Sequence, residues 1–344
     1  MACKPAISSM SLGRAWVHDL QPKLEEAAAH GIQGIELWYE DLEYSTRSLT
    51  GNASRASLLA AAEEVRSLCN KYSLVIICLQ PFMLDEGLND REEHLARIAK
   101  LHLWFDLAEK LGTDLIAIAS SFLPTEYLST DVATIITDLQ EVADLGLQRS
   151  PAIRFTYESL AWGTRVNTWE VCWNIVRCVN RPNFGICLDT FNIAGRVFAD
   201  PTSITGKTPT AEMDMALSVQ HLIAEIDVSK VFYIQVVDAE KLDEPLVEGH
   251  HFYHPDQPPR MSWSRNCRLF YGEENLGAYL PVKNILQAII GSLEYKGWVS
   301  MELFNRSMAG ADPLVPSIHA RRAAIAWEKI MKDCKLNRTR DVRL

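Results

Sequence analysis

Apolar residues in this chain gather in eight short, continuous runs, and the stretches between them carry helical spacing. The runs occupy positions 6–10, 34–38, 74–80, 115–120, 153–158, 184–189, 231–235 and 299–302. Most are rich in β-branched and apolar residues and lack polar alternation, which is how strands covered on both faces of a parallel sheet read. Helix punctuation fills the gaps. Asp19 is placed to cap a helix through Leu24 and Ala28 that stops at Gly31. Asp90 opens 91–111, where Leu95, Ile98, Leu101, Trp104 and Leu107 recur at helical spacing before Gly112. Asp131 precedes Ile135, Ile136, Leu139 and Val142, closing near Gly146, and Asn167 precedes 169–179. A last helix begins around Asp312 and Pro313 and runs through Arg322 and Trp327. Small polar residues before such stretches and glycines after them are the ordinary start and stop signals.

Eight strand-then-helix repeats in 344 residues predict an α/β fold, a (β/α)8 barrel forming one domain over 1–344. The rival is a doubly wound open sheet. That fold wants a glycine-rich first turn, and Ser11-Leu-Gly13-Arg-Ala makes a poor phosphate loop. The longest irregular stretch is predicted at about 241–278. It holds His250, His251, His254, four prolines and the basic residues Arg260, Arg265 and Arg268. A loop of that length in a compact domain is usually functional, and here it would lie on the barrel face where the strands end.

Composition narrows the partners. With 34 Lys+Arg against 44 Asp+Glu the formal charge is −10, which disfavours nucleic acid and anionic membrane surfaces. No apolar stretch approaches about 18 residues, so no membrane span is expected. The eight cysteines include no CxxC pair and read as free thiols in a reducing compartment. Met1-Ala-Cys-Lys-Pro5 lacks the features of a secretory signal. A cytoplasmic protein acting on a small molecule is expected, with no nucleic-acid or membrane partner; self-association into a homo-oligomer stays open.

Four of the runs share a feature that buried strands should avoid. Those at 153–158, 184–189, 231–235 and 299–302 end in Glu158, Asp189, Gln235 and Glu302. An unpaired buried charge is costly, so three carboxylates and an amide at neighbouring strand ends call for a shared partner. Oxygen-only donors, with no cysteine or imidazole, favour Mg²⁺ or Mn²⁺ over Zn²⁺. Gln235 is the weakest member, and Asp238 and Glu240 lie just beyond it.

At these residues a resemblance emerges. Tyr157-Glu-Ser-Leu-Ala-Trp162-Gly, Cys187-Leu-Asp-Thr-Phe-Asn-Ile193, Tyr233-Ile-Gln-Val-Val-Asp238 and Ser264-Arg-Asn-Cys-Arg268-Leu-Phe resemble the fungal 3-dehydroshikimate dehydratases. These belong to the xylose-isomerase-like TIM-barrel superfamily. Gly34-Ile-Glu-Leu-Trp38 and Gln80-Pro-Phe82 fit the same pattern. The resemblance implies a lyase that dehydrates 3-dehydroshikimate to protocatechuate in quinate and shikimate catabolism. It also implies a divalent metal on Glu158, Asp189, Gln235 and Glu302. Bacterial relatives tend to carry a histidine three residues after the metal aspartate, where this chain has Asn192, so proton transfer is not assigned to that position.

Given that substrate, the chemistry sets its own demands. Removing a proton from the ring carbon vinylogous to the ketone gives a dienolate, which expels a hydroxyl and aromatises. Charge growing on the ketone oxygen calls for a Lewis acid, and a base must reach the ring. Base candidates are Glu158, Glu302 and His250. Arg268, with Arg265, suits the substrate carboxylate, because a guanidinium grips it with two parallel hydrogen bonds. Ser264, Asn192, Gln80 and Trp162 complete the expected substrate contacts; Phe82 and Trp162 are placed either to wall the ring site or to pack in the core. The alternatives are a sugar isomerase or epimerase on the same metal barrel, a DNA-repair endonuclease, and a non-catalytic sugar-acid sensor.

Overall fold

The computed structural model describes residues 3–50, 53–83 and 86–336. The remainder of the expected 1–344 domain lies outside the described residues. Eight parallel strands close into a barrel: β1 (Lys4–Ser8), β2 (Gly34–Trp38), β3 (Val75–Met83), β4 (Leu115–Ala119), β5 (Arg154–Glu158), β6 (Phe184–Asp189), β7 (Val231–Gln235) and β10 (Trp298–Met301). They follow chain order around the wall, β10 pairing with both β7 and β1. The two remaining strands, β8 (Asp238–Ala239) and β9 (Arg268–Leu269), pair antiparallel as a short ribbon outside the barrel.

Burial explains why these segments become strands. Phe155, Ile186, Ile234 and Val299 are fully buried, each covered by the surrounding helical layer. The helix Arg91–Leu111 shows how that layer is punctuated. The Asp90 carboxylate accepts the Glu92 and Glu93 backbone N–H groups, and Gly112 ends the helix at φ 76°, a conformation that favours glycine. Its buried face carries Trp104, which meets Phe82 edge-on with centroids 5.0 Å apart. Phe82, expected either to wall the ring site or to pack in the core, is thus a core residue packed beneath this helix.

Two local expectations change. The helix Trp169–Val179 is capped by Thr168, whose hydroxyl accepts the Val171 N–H, and not by Asn167. Asn167 turns instead to the Gly163 carbonyl. The 241–278 stretch is not wholly irregular, since it contains the helix Pro259–Cys267 and strand β9. A proline tolerates the first turn of a helix, where its missing N–H costs nothing, so Pro259 starts structure where it read as breaking it.

Just past the C-terminal ends of the first two strands lies a buried ion pair. Lys23 Nζ donates to Asp41 Oδ1 at 2.6 Å with both side chains out of solvent, and Asp41 also accepts the Ser9 hydroxyl. Asp41→Ala is expected to destabilise the fold by about 3–5 kcal/mol, because it leaves the lysine charge buried alone. Urea unfolding checks this, and a loss below about 1 kcal/mol would show that Lys23 finds another partner.

Candidate active site

Strands β5, β6, β7 and β10 are consecutive in the barrel wall, and each delivers one polar side chain at its C-terminal end. Glu158, Asp189 and Gln235 are the last residues of their strands, and Glu302 follows β10 directly. Asp189 stands opposite Gln235 in register, and Gln235 opposite Ser300. The result is a buried cluster in which one oxygen from each of Glu158, Asp189 and Glu302 lies within 4.8 Å of the others. Burial pushes the carboxyls of Glu158 and Glu302 well above their usual range, and the neighbouring carboxylates add to the shift. Such a cluster is unfavourable without compensating positive charge.

Part of that compensation is built in. Arg268, 1% exposed, donates from Nη1 to Asp189 Oδ2 at 2.9 Å and Glu302 Oε2 at 3.2 Å, while its Nε donates to Ser264 Oγ at 3.0 Å. Its guanidinium also stacks over Phe191 and Phe304 at 4.3 and 5.2 Å. Three carboxylates and one guanidinium leave a formal −2, which a single divalent cation neutralises. The donor set therefore fits a hard divalent cation on charge, chemistry and spacing.

The remaining polar neighbours orient the carboxylates. Asn192 donates through Nδ2 to Glu158 Oε1 at 2.7 Å and Asp189 Oδ2 at 2.8 Å, while its Oδ1 accepts the Ala161 N–H. Both amide hydrogens and the oxygen are thereby used. Gln80 donates to Glu302 Oε1 at 3.0 Å. Gln235 donates to Glu36 Oε2 at 2.8 Å, and its oxygen accepts the Cys187 thiol.

A cleft of about 620 Å³ opens above the cluster. Glu158, Glu302, Arg268, Gln80, Ser264, Arg265 and Trp162 line it, so most of the expected site residues do meet. Asn192, Arg268, Ser264 and Gln80, however, are engaged with the carboxylates or with one another, whereas substrate contacts were expected of them. His250 is not part of the lining. It stacks on His251 with centroids 4.5 Å apart, and its Nδ1 accepts the Phe252 N–H. Asp238 and Glu240 also serve elsewhere. Asp238 Oδ1 gathers the backbone N–H groups of Ala239, Tyr279 and Leu280, and Glu240 pairs with Arg306.

Sequence reading missed three contributors. Glu36, in β2, is fully buried below the cluster, and burial raises its carboxyl to about 7. By accepting from Gln235 Nε2 it fixes which end of that amide carries the oxygen. A carboxylate in the middle of Gly34-Ile-Glu-Leu-Trp38 was the available signal. Arg14 and Glu40 also line the cleft, from segments that follow β1 and β2.

Asn192→Ala is expected to lower Mn²⁺ affinity by about 10–100-fold while the barrel stays folded, since it frees two carboxylates from their common donor. Titration calorimetry reads this, and an unchanged affinity would remove Asn192 from any positioning role.

Comparisons with known proteins agree on the fold. The family described as xylose isomerase-like TIM barrel matches residues 24–329. A 3-dehydroshikimate dehydratase of Neurospora crassa is 52% identical over 343 residues, covering 98% of this chain and 96% of that protein. Another, from Pseudomonas aeruginosa, is 29% identical over 311 residues, covering 90% of this chain and 40% of that longer protein. The solved structure of a xylose isomerase-like TIM barrel/4-hydroxyphenylpyruvate dioxygenase fusion protein superposes with a TM-score of 0.73 at 25% identity. It covers 97% of this chain and 44% of that chain.

Proposed function

The chain belongs to the xylose isomerase-like TIM barrel family and, within it, to the 3-dehydroshikimate dehydratases, and on that premise we propose that it forms protocatechuate at the barrel mouth in quinate and shikimate catabolism. The observation that carries the reading is the convergence of Glu158, Asp189 and Glu302 within 4.8 Å beneath a cleft of about 620 Å³, ample for a six-membered ring. Mg²⁺ or Mn²⁺ held by these three, with the Gln235 amide oxygen as fourth donor, would supply the Lewis acidity that polarises a ketone.

The chain's own residues do the rest. Arg268 offsets one of the three negative charges, so the carboxylates stay together at the mouth. Asn192 and Gln80 hold Glu158 and Glu302 by single hydrogen bonds to Oε1, which sets the direction in which each carboxylate faces the cleft. Glu158 and Glu302 are the two members of the cluster that reach the cleft, and proton removal from the ring carbon falls to this pair. Trp162 and Phe304, on the cleft wall, exclude water from the ring.

The test is spectroscopic. Purified protein mixed with Mn²⁺ and 3-dehydroshikimate is expected to generate the ultraviolet absorption of a catechol acid. Saturable binding of the substrate with no product would overturn the assignment in favour of a sensor.

A further inference from the structure

Four arginines line the cleft, and they are of two kinds. Arg268 is committed to Asp189 and Glu302, and Arg306 holds Glu240 through Nη1 at 2.6 Å and Nη2 at 3.3 Å. Arg14 and Arg265 hold no carboxylate. Among the described residues, no acidic oxygen lies within 4.0 Å of either guanidinium.

These two free guanidiniums are neighbours. Arg14 Nη2 donates to the backbone carbonyl of Arg265 at 3.4 Å. Arg14 is half-buried between the Trp16 and Phe304 rings, 5.5 and 5.7 Å from their centroids, while Arg265 reaches solvent at the rim. Burial and the neighbouring Arg265 charge pull the Arg14 guanidinium below its usual value, and the charge of Glu40 offsets this only in part. Glu40 shares this wall but stands outside ion-pair distance, and burial raises its carboxyl. Phe304 also touches Arg268, 5.2 Å from its ring, so Arg14 and the carboxylate cluster flank one aromatic side chain.

Resting on the dehydratase reading above, we infer that Arg14 and Arg265 form the site for the substrate's carboxylate, Arg14 taking the place that the sequence gave to Arg268 beside Arg265. The substrate then lies with its ketone toward the strand ends of β5, β6 and β10 and its carboxylate toward the segment that follows β1. A carboxylate arriving there makes the direct charge-assisted hydrogen bonds that Glu40, outside ion-pair distance, does not make. Arg268 keeps its Nη1 on Asp189 and Glu302, so its charge stays with the carboxylate cluster.

The experiment compares two ligands that differ only in the carboxylate, protocatechuate and catechol, on the Mn²⁺-loaded protein by titration calorimetry. The native protein is expected to prefer the acid by about tenfold or more, and Arg14→Gln and Arg265→Gln each to remove most of that preference. Catechol affinity is expected to stay unchanged in both variants, which also shows that the cleft remains folded. In turnover, both variants are expected to raise KM for 3-dehydroshikimate about tenfold with kcat within a few-fold of native. Variants that keep the native preference for the acid would overturn the inference, as would a native protein with no preference at all. A native protein that binds both ligands but forms no product would instead sink the dehydratase reading, so the two failures are distinguishable.

Discussion

Removing divalent metal from the purified protein is expected to lower turnover of 3-dehydroshikimate by about a thousandfold or more, with recovery on adding Mg²⁺ or Mn²⁺. A Lewis acid at a developing oxyanion contributes several kcal/mol to the barrier, and about 1.4 kcal/mol corresponds to each factor of ten. No other group in the cleft is placed to replace it. Arg268 and Arg306 are already paired, and Arg14 packs over the Phe304 ring while Arg265 stays at the rim. The same experiment has a stability counterpart. In the metal-free protein, burial holds the Glu158 and Glu302 carboxyls above their unfolded values. The unfolded chain therefore gives up these protons at lower pH than the folded one, and metal-free stability falls as pH rises above the ordinary carboxylate range. Cation binding needs the ionised carboxylates, so the rise in Tm on adding Mn²⁺ is expected to grow from pH 5 to pH 8. Full activity after chelation, or a Tm rise that shrinks with pH, would contradict the account.

Asp189→Asn is expected to be the most damaging single substitution at the site, reducing turnover to near background and weakening Mn²⁺ binding by at least about a hundredfold. Its Oδ2 accepts from both Arg268 Nη1 and Asn192 Nδ2, and its Oδ1 accepts the Phe191 N–H. An amide in that place must turn its NH₂ toward one set of donors, so a hydrogen bond becomes a clash of two donors. The change also lowers the cluster from a formal −3 to −2 while Arg268 remains, so attraction for a divalent cation falls. Glu302 alone would then pair with Arg268, pulling that carboxylate from the others. Direct Mn²⁺ titration with near-ultraviolet circular dichroism separates this from unfolding. A variant that is folded, binds Mn²⁺ normally and turns over would refute the assigned role.

Much of the barrel was legible because buried parallel strands write continuous apolar runs. The stretches 34–38, 184–189 and 231–235 coincide with β2, β6 and β7. The four strand-end residues stood out for a related reason, since a carboxylate closing such a run contradicts the burial of the run itself. What stayed hidden depends on contacts distant in sequence. Arg268 meets Asp189 from 79 positions away and Glu302 from 34, and nothing local distinguishes it from Arg265, which stays at the rim. Glu36 was passed over as a site residue because it lies inside its strand, where no strand end marks it, although a carboxylate in that apolar run was a signal. The three histidines of 241–278 attracted attention by residue type. A short ribbon and a helix instead bring Ser264, Arg265 and Arg268 to the cleft, leaving His250 out of its lining.

The most direct test is a crystal structure of the Mn²⁺-soaked protein with anomalous scattering measured to locate the ion. One anomalous peak is predicted at the mouth of the barrel, about 2.1 Å from oxygens of Glu158, Asp189, Gln235 and Glu302. A peak elsewhere, or those four side chains turned away from any ion under saturating Mn²⁺, would contradict the account.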